Sequence, residues 1–190
     1  MNIVGLLLAA GAATRFGSDK LSHRLPHGPP IAVQAARHLV SVFPRVIAVT
    51  RGDSEKLRAL LKEEGCEVVV CENAAQGMGA SLACGARAAG EADGYVVALA
   101  DMPFVRPSSI RAVRDALAAG APLAAPYFRG RRGHPVGISA RFRDALLALE
   151  GDEGAKQLLS ANQIRKIAVG DPGVIRDIDT PGDLAPPIKA

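Results

Sequence analysis

The chain has 190 residues, 48% of them hydrophobic and 22% charged, the size and composition of one compact globular domain. Its 20 glycines and 13 prolines stand singly between apolar runs and without a three-residue period, which excludes collagen and low-complexity disorder. A formal charge of +4 with 4% aromatic residues and no tryptophan lacks the parts of a base-stacking nucleic-acid platform, and no apolar run approaches the roughly 18 residues that span a bilayer.

Met1 leads directly into a strand-like run, with no basic start and no small-residue cleavage site, so the expected compartment is the cytoplasm and the expected partners are neither membrane nor nucleic acid. Cys66, Cys71 and Cys84 are odd in number, have no CxxC spacing and lie in apolar stretches. They are read as buried structural thiols in a reducing cytosol.

Along the chain, short continuous apolar runs alternate with helical periodicity, the pattern of parallel strands covered on both faces. Strands are predicted over Ile3–Ala9, Arg45–Thr50, Glu67–Cys71 and Tyr95–Ala100, with helices over Ile31–Val42, Ser54–Glu64 and Gly79–Ala89 between them. After Pro103 a helix is predicted over Pro107–Ala119. The short segments PLAAPYF and HPVGIS, separated by the turn-like RGRRG, then predict an antiparallel pair or a strand near a sheet edge. Helices over Ala140–Leu149 and Glu153–Ala161, the strand IRKIAV and a tail carrying RDIDTPGDL complete the chain. Right-handed crossovers turn this order into a Rossmann-like α/β fold: a mostly parallel twisted sheet with helices on both faces and a short antiparallel element in the C-terminal half.

Ligands of open α/β sheets bind at the carboxyl ends of the strands, where the first turn, LAAGAATRFGSDK (Leu8–Lys20), stands. It fits neither GxGxxG, since Ala13 occupies a glycine position, nor the P-loop, since Gly11 and Gly17 are separated by five residues. A glycine loop with Arg15 to fork onto phosphate oxygens and Lys20 as a point charge suits a polyphosphate. An ordinary glycine turn with solvated basic residues is the alternative. At the same edge, strand GYVVALA ends in Asp101. Pro103 and Pro107 put the next helix too far on for Asp101 to be its N-cap, which favours a ligand role.

LAAGAATRFGSDK resembles the signature loop LAAGxSxRxGxxK of nucleotidyltransferases related to the molybdenum-cofactor guanylyl- and cytidylyltransferases, departing from it at Ala13 and Phe16. ADMP around Asp101, RDIDTPGDL, NAAQGMGASLACG, GHPV and GDEGAK are similar to further motifs of that family and follow its order from residue 3 to residue 184. The resemblance implies the nucleotide-diphospho-sugar transferase type of fold, in one domain of residues 1–190 whose nucleotide-binding half is 1–106 and acceptor-binding half 107–190.

By position, the resemblance assigns Leu8, Ala9, Ala10, Gly11, Arg15, Lys20, Asn73, Gly79 and Ser81 to the nucleotide, with Arg15, Lys20 and Asp101 catalytic. Asp101 and Asp179 would bind Mg²⁺, with Asp177 as the alternative to Asp179. Arg131, Arg132 and His134 would meet an anionic acceptor. Asp183, after Thr180 and Pro181, is read as part of a helix start.

The implied reaction is attack by the terminal phosphate of the molybdenum–molybdopterin cofactor on the α-phosphate of CTP, releasing pyrophosphate, with a molybdenum hydroxylase as a possible recipient of the product. Ala10 is what points to CTP, since guanylyltransferases of the family tend to carry LAGG, and GTP stays open. Transfer to another phosphorylated acceptor, NAD(P)H-dependent dye reduction on the same fold, and non-catalytic carriage of the cofactor are the alternatives.

Overall fold

A computed structural model describes residues 1–11, 20–151 and 154–184. Strands β1 (Ile3–Ala9), β2 (Val46–Thr50), β3 (Glu67–Val70) and β4 (Gly94–Leu99) alternate with helices α1 (Ile31–Val40), α2 (Glu55–Glu63) and α3 (Met78–Ala89). Helix α4 (Pro107–Ala118) then leads to strands β5 (Leu123–Phe128), β6 (Arg131–Arg132) and β7 (Val136–Ser139), short helices α5 (Arg143–Leu147) and α6 (Gly154–Ser160), and strand β8 (Arg165–Ala168).

The eight strands form one sheet in the order β3-β2-β1-β4-β7-β5-β6, with β8 also paired to β5. The pairs β1–β2, β1–β4, β2–β3 and β5–β8 are parallel, and β7 runs antiparallel to both β4 and β5. The first three strands wind outward from β1 and β4 returns to its other side. This reversal opens a crevice at the carboxyl ends of β1 and β4. Because β7 is inverted, its N-terminal end lies at that same edge, as the register Val136 to Val97 shows. Residues before Val136 are thereby delivered beside the residues after Leu99.

Side-chain alternation explains why β1 reads as an unbroken apolar run. Val4, Leu6 and Leu8 pack with Leu82, Ala86 and Leu146 on the α3 and α5 face. Ile3, Leu7 and Ala9 pack with Leu39, Leu61 and Ile110 on the face of α1, α2 and α4. A strand buried on both sides has no polar positions to offer.

One expectation is corrected. The segment read as a helix over 140–149 is a 3₁₀ turn, Ala140–Phe142, followed by the single short α5; Ser139 caps the turn by accepting from the Arg141 backbone N–H. The tail motif starts a 3₁₀ helix at Pro181 (Pro181–Leu184), with Asp183 in its first turn. HPVGIS does pair antiparallel, but as an interior strand between β4 and β5. Cys66 and Cys71 are buried while Cys84 is half-buried. Burial pushes the Cys66 and Cys84 thiols up to about 11, the unreactive state of thiols in apolar surroundings.

Candidate active site

At the β1/β4 crevice lies a cavity of about 380 Å³ lined by Leu8, Ala10, Gly11, Lys20, Leu21, Arg51, Ala74, Ala75, Gly77, Met78, Ser81, Leu99, Asp101 and Asp179. Apart from Asp179, which comes from the C-terminal tail, the lining groups come from strand ends and from the helices that follow them. Of the residues assigned to the nucleotide, Leu8, Ala10, Gly11, Lys20 and Ser81 meet here.

Three do not. Ala9 points to the opposite sheet face, into the α1 side of the core. Asn73 lines a neighbouring cavity of about 270 Å³ behind α3. Gly79 is covered by the loop before α6: its N–H donates to the Gly151 carbonyl at 2.7 Å, and a Cβ at this position would stand 2.4 Å from that oxygen. The glycine is thus required by protein packing. Arg15 lies outside the described residues.

The carboxylates are assembled by long-range backbone contacts. The Ile178 N–H donates to the Asp101 carbonyl at 2.9 Å, which sets Asp177 and Asp179 on either side of that bond. One ligand oxygen from each of Asp101, Asp177 and Asp179 falls within 4.8 Å of the others, the one such cluster of potential metal ligands found among the described residues. The Lys20 ammonium joins it, 3.0 Å from Asp101 Oδ2 and 3.4 Å from Asp179 Oδ1.

Burial raises the pKa of Asp101 above the ordinary carboxylate value, with Lys20 opposing and the Asp177 charge adding to the rise. Its Oδ1 is enclosed and has no hydrogen-bond partner among the described residues. An orphaned carboxylate oxygen, two further carboxylates and no nitrogen or sulfur donor in the cluster fit a hard divalent cation such as Mg²⁺ or Mn²⁺.

The tail that carries Asp177 and Asp179 is pinned by features the sequence reading passed over. Asp171, 3% exposed, accepts from the Ser109 hydroxyl at 2.7 Å, the Arg106 N–H at 2.8 Å and the Gly173 N–H at 3.0 Å. It caps α4 and the Pro172–Ile175 turn together. Gly173 and Gly133 permit direct backbone approach, since a Cβ would lie 2.1 Å from the Phe104 carbonyl oxygen and 2.2 Å from that of Val174 respectively. The His134 N–H donates to Val174 O at 2.8 Å.

Asp183 holds the last turn. Its Oδ2 accepts from the Thr180 N–H at 2.8 Å, the Thr180 hydroxyl at 2.7 Å and the Asp179 N–H at 3.3 Å. Thr180's bonds hold its carboxyl below the usual carboxylate range.

Beyond β7 and β5 in the sheet, β6 carries the exposed Arg131 and Arg132, half-buried His134 follows, and none of the three lines this cavity. Burial and the neighbouring Arg132 charge push the His134 imidazole down to about 4. It is therefore neutral near pH 7. Its Nδ1 is enclosed without a partner.

Arg51 and Met78 line the cavity and were not singled out from sequence. Arg51 follows the end of β2 by one residue, so the strand-end rule that located Gly11 and Asp101 also reaches it.

Comparison with known proteins places this geometry. The chain is 32% identical over 193 residues to the purine catabolism protein PucB of Bacillus subtilis, covering 94% of this chain and 92% of that one. It is 30% identical over 189 residues to the nicotine blue oxidoreductase of Paenarthrobacter nicotinovorans, with the same coverage of each. Among solved structures, Rv0371c of Mycobacterium tuberculosis superposes with a TM-score of 0.82 at 29% identity, over 96% of this chain and 94% of that one. The same protein has been crystallised in complex with manganese, a structure that matches with a TM-score of 0.76 at 26% identity, over 96% of both chains. Residues 5–167 match the MobA-like NTP transferase domain, and the chain belongs to that family of nucleotidyltransferases.

Proposed function

We propose that the chain transfers CMP from CTP onto the terminal phosphate of the molybdenum–molybdopterin cofactor, releasing pyrophosphate. The observation that carries this reading is the convergence of Asp101, Asp177 and Asp179 with Lys20 at one end of a nucleotide-sized cavity. In the proposed step an acceptor phosphate oxygen forms a bond to the α-phosphorus. The bond from that phosphorus to the bridging oxygen breaks, and pyrophosphate leaves with the electron pair. An acceptor phosphomonoester is already ionised near pH 7, so no general base is required.

Asp101 and Asp179, with Asp177 beside them, are the residues that would hold Mg²⁺, which supplies charge neutralisation and alignment of attacking and leaving oxygens. Lys20 sits where the carboxylates meet the cavity, so one ammonium both relieves their mutual repulsion and meets the polyphosphate, joined by Arg15. Leu8, Ala10, Gly11 and Ser81 form the wall for the nucleoside. Arg131 and Arg132 would bind the anionic acceptor, and neutral His134 would offer it a hydrogen bond. Residues 1–106 thus serve the nucleotide and 107–190 the acceptor. Direct displacement by positioning and electrostatics then needs no covalent intermediate.

The reaction would take place in the cytoplasm, and the dinucleotide product would pass to a molybdenum hydroxylase. The described helices include none long and apolar enough to cross a membrane. The test is pyrophosphate release with each NTP, Mg²⁺ and the cofactor. Release with CTP is expected, and no release with any NTP overturns the proposal.

A second reading, NAD(P)H-dependent dye reduction, is favoured by the 30% identity to the nicotine blue oxidoreductase. NADPH oxidation without NTP turnover would select it.

A further inference from the structure

We propose that Arg51 reads the nucleobase, selecting bases with two adjacent hydrogen-bond acceptors, cytosine or guanine, over uracil and adenine. The inference rests on the NTP reading above and names the group that sets its specificity.

The orientation of a bound nucleotide follows from the sheet. The phosphates must lie by Asp101, which stands after β4 with Asp177 and Asp179 of the tail held against it, and by Lys20 at the start of the segment following the glycine loop. Arg51 stands after β2, on the other side of β1. At about 4.8 Å between neighbouring strands, two strand spacings put it roughly 10 Å from the metal end. That is the span of a nucleoside, so the base and not the phosphates reaches Arg51. Ala74, Ala75, Gly77 and Met78, which follow β3, line the cavity at this same end.

Lys20 and Arg51 are the described cations lining the cavity. Lys20 is committed to Asp101 and Asp179. Among the described residues, Arg51 is held through Nη2, which donates to Asp53 Oδ2 at 3.1 Å; Asp53 is largely in solvent, with 67% of its side chain exposed. Such a pair orients the side chain loosely at the cavity rim and leaves the rest of the guanidinium fork available.

A guanidinium donates and never accepts. Cytosine presents O2 and N3 side by side, and guanine presents O6 and N7, so each takes two parallel N–H donors. Uracil carries a proton on N3, and adenine places an amino group beside N7 or N1. Each can satisfy only one arm of the fork and turns a donor toward the other.

The test is equilibrium binding of CTP, UTP, GTP and ATP, each with Mg²⁺, to the full chain and to the variants Arg51→Lys and Arg51→Met, by calorimetry. The wild type is expected to favour CTP over UTP, or GTP over ATP, by about tenfold or more. Both variants should bring that ratio to near one while binding of UTP and ATP changes little; the lysine keeps the charge but not the fork. A uniform loss across all four nucleotides would make Arg51 a phosphate contact, and an unchanged ratio would make it a surface residue; either overturns the proposal. A wild type that binds NTPs without preference overturns the Arg51 reading alone, whereas one that binds no NTP overturns the nucleotidyltransferase reading with it.

Discussion

The two flanks of the cleft are built by different means. On the β1–β4 flank, Gly11 and Asp101 are carried by the ends of buried parallel strands, so a local apolar pattern suffices to aim them. On the other flank, the tail with Asp177 and Asp179 follows edge strand β8 and runs back across the sheet edge. There it is held by Asp171 on Ser109 and Arg106, by Gly173 against Phe104, and by Ile178 on Asp101. Strand ends tolerate change in their loops, whereas a tail fixed by close backbone approach loses its position with one added methyl group. A site with one rigid and one docked flank should therefore fail chemically on the first and structurally on the second.

The sharpest test of the rigid flank is Asp101→Ala. Removing this half-buried carboxylate should lower pyrophosphate release by about 10³-fold or more, the several kcal/mol that metal charge stabilisation is worth. The melting temperature should be unchanged or higher, because a carboxyl group whose pKa is raised by burial opposes folding in its charged form. Full activity in this variant would remove Asp101 from the metal site.

On the docked flank, Gly173→Ala should cost about 3 kcal/mol in a denaturant melt, since the new Cβ meets the Phe104 carbonyl at 2.1 Å. Activity should fall with it as Asp177 and Asp179 move off Asp101. Gly170→Ala is the control, three residues earlier in the same tail, where an added Cβ meets nothing within 4 Å. Equal stability of the two variants would show that the tail is not fixed by this contact.

His134 joins the two flanks and gives the comparison a pH axis. Its folded pKa of about 4 lies below the ordinary value of 6.5, so the unfolded chain binds the proton more tightly. Its contribution is fully present above pH 6.5, shrinks as the pH falls and is lost as it passes through about 4. The expected loss over that window is about 3 kcal/mol at most. Melting temperatures of wild type and His134→Gln measured between pH 7 and pH 4 should converge as the pH falls. Parallel curves would place the imidazole in solvent.

This division also explains what could be read without coordinates. Strands β1 to β4 were legible because burial on both faces leaves continuous apolar runs, and Asp101 because a strand end followed by two prolines has little else to do. Ala9 was misplaced although the pleat alone sends it opposite to Leu8 and Ala10. Arg51 was passed over although it obeys the same strand-end rule. The docked flank was illegible for another reason. Asp171 meets Ser109 across 62 residues, and Gly133, Gly173 and Gly79 are glycines because of what approaches them from elsewhere in the chain. No local spacing encodes such a contact.

Asp183 offers the mildest test of how far the docked flank must be fixed. Its carboxylate accepts from Thr180 and from the Asp179 backbone N–H, so it orients a ligand without being one. Because those bonds hold its pKa low, it stays ionised throughout the neutral range and the turn does not depend on pH there. Asp183→Ala should leave the melting temperature nearly unchanged, since the turn is exposed. It should raise the Mg²⁺ concentration for half-maximal activity about tenfold, the usual effect of losing a group that orients a metal ligand, with kcat at saturating metal little altered. A fall in kcat that no metal concentration restores would mean that Asp183 positions the acceptor and not Asp179, and would move the functional boundary of this flank four residues further down the chain.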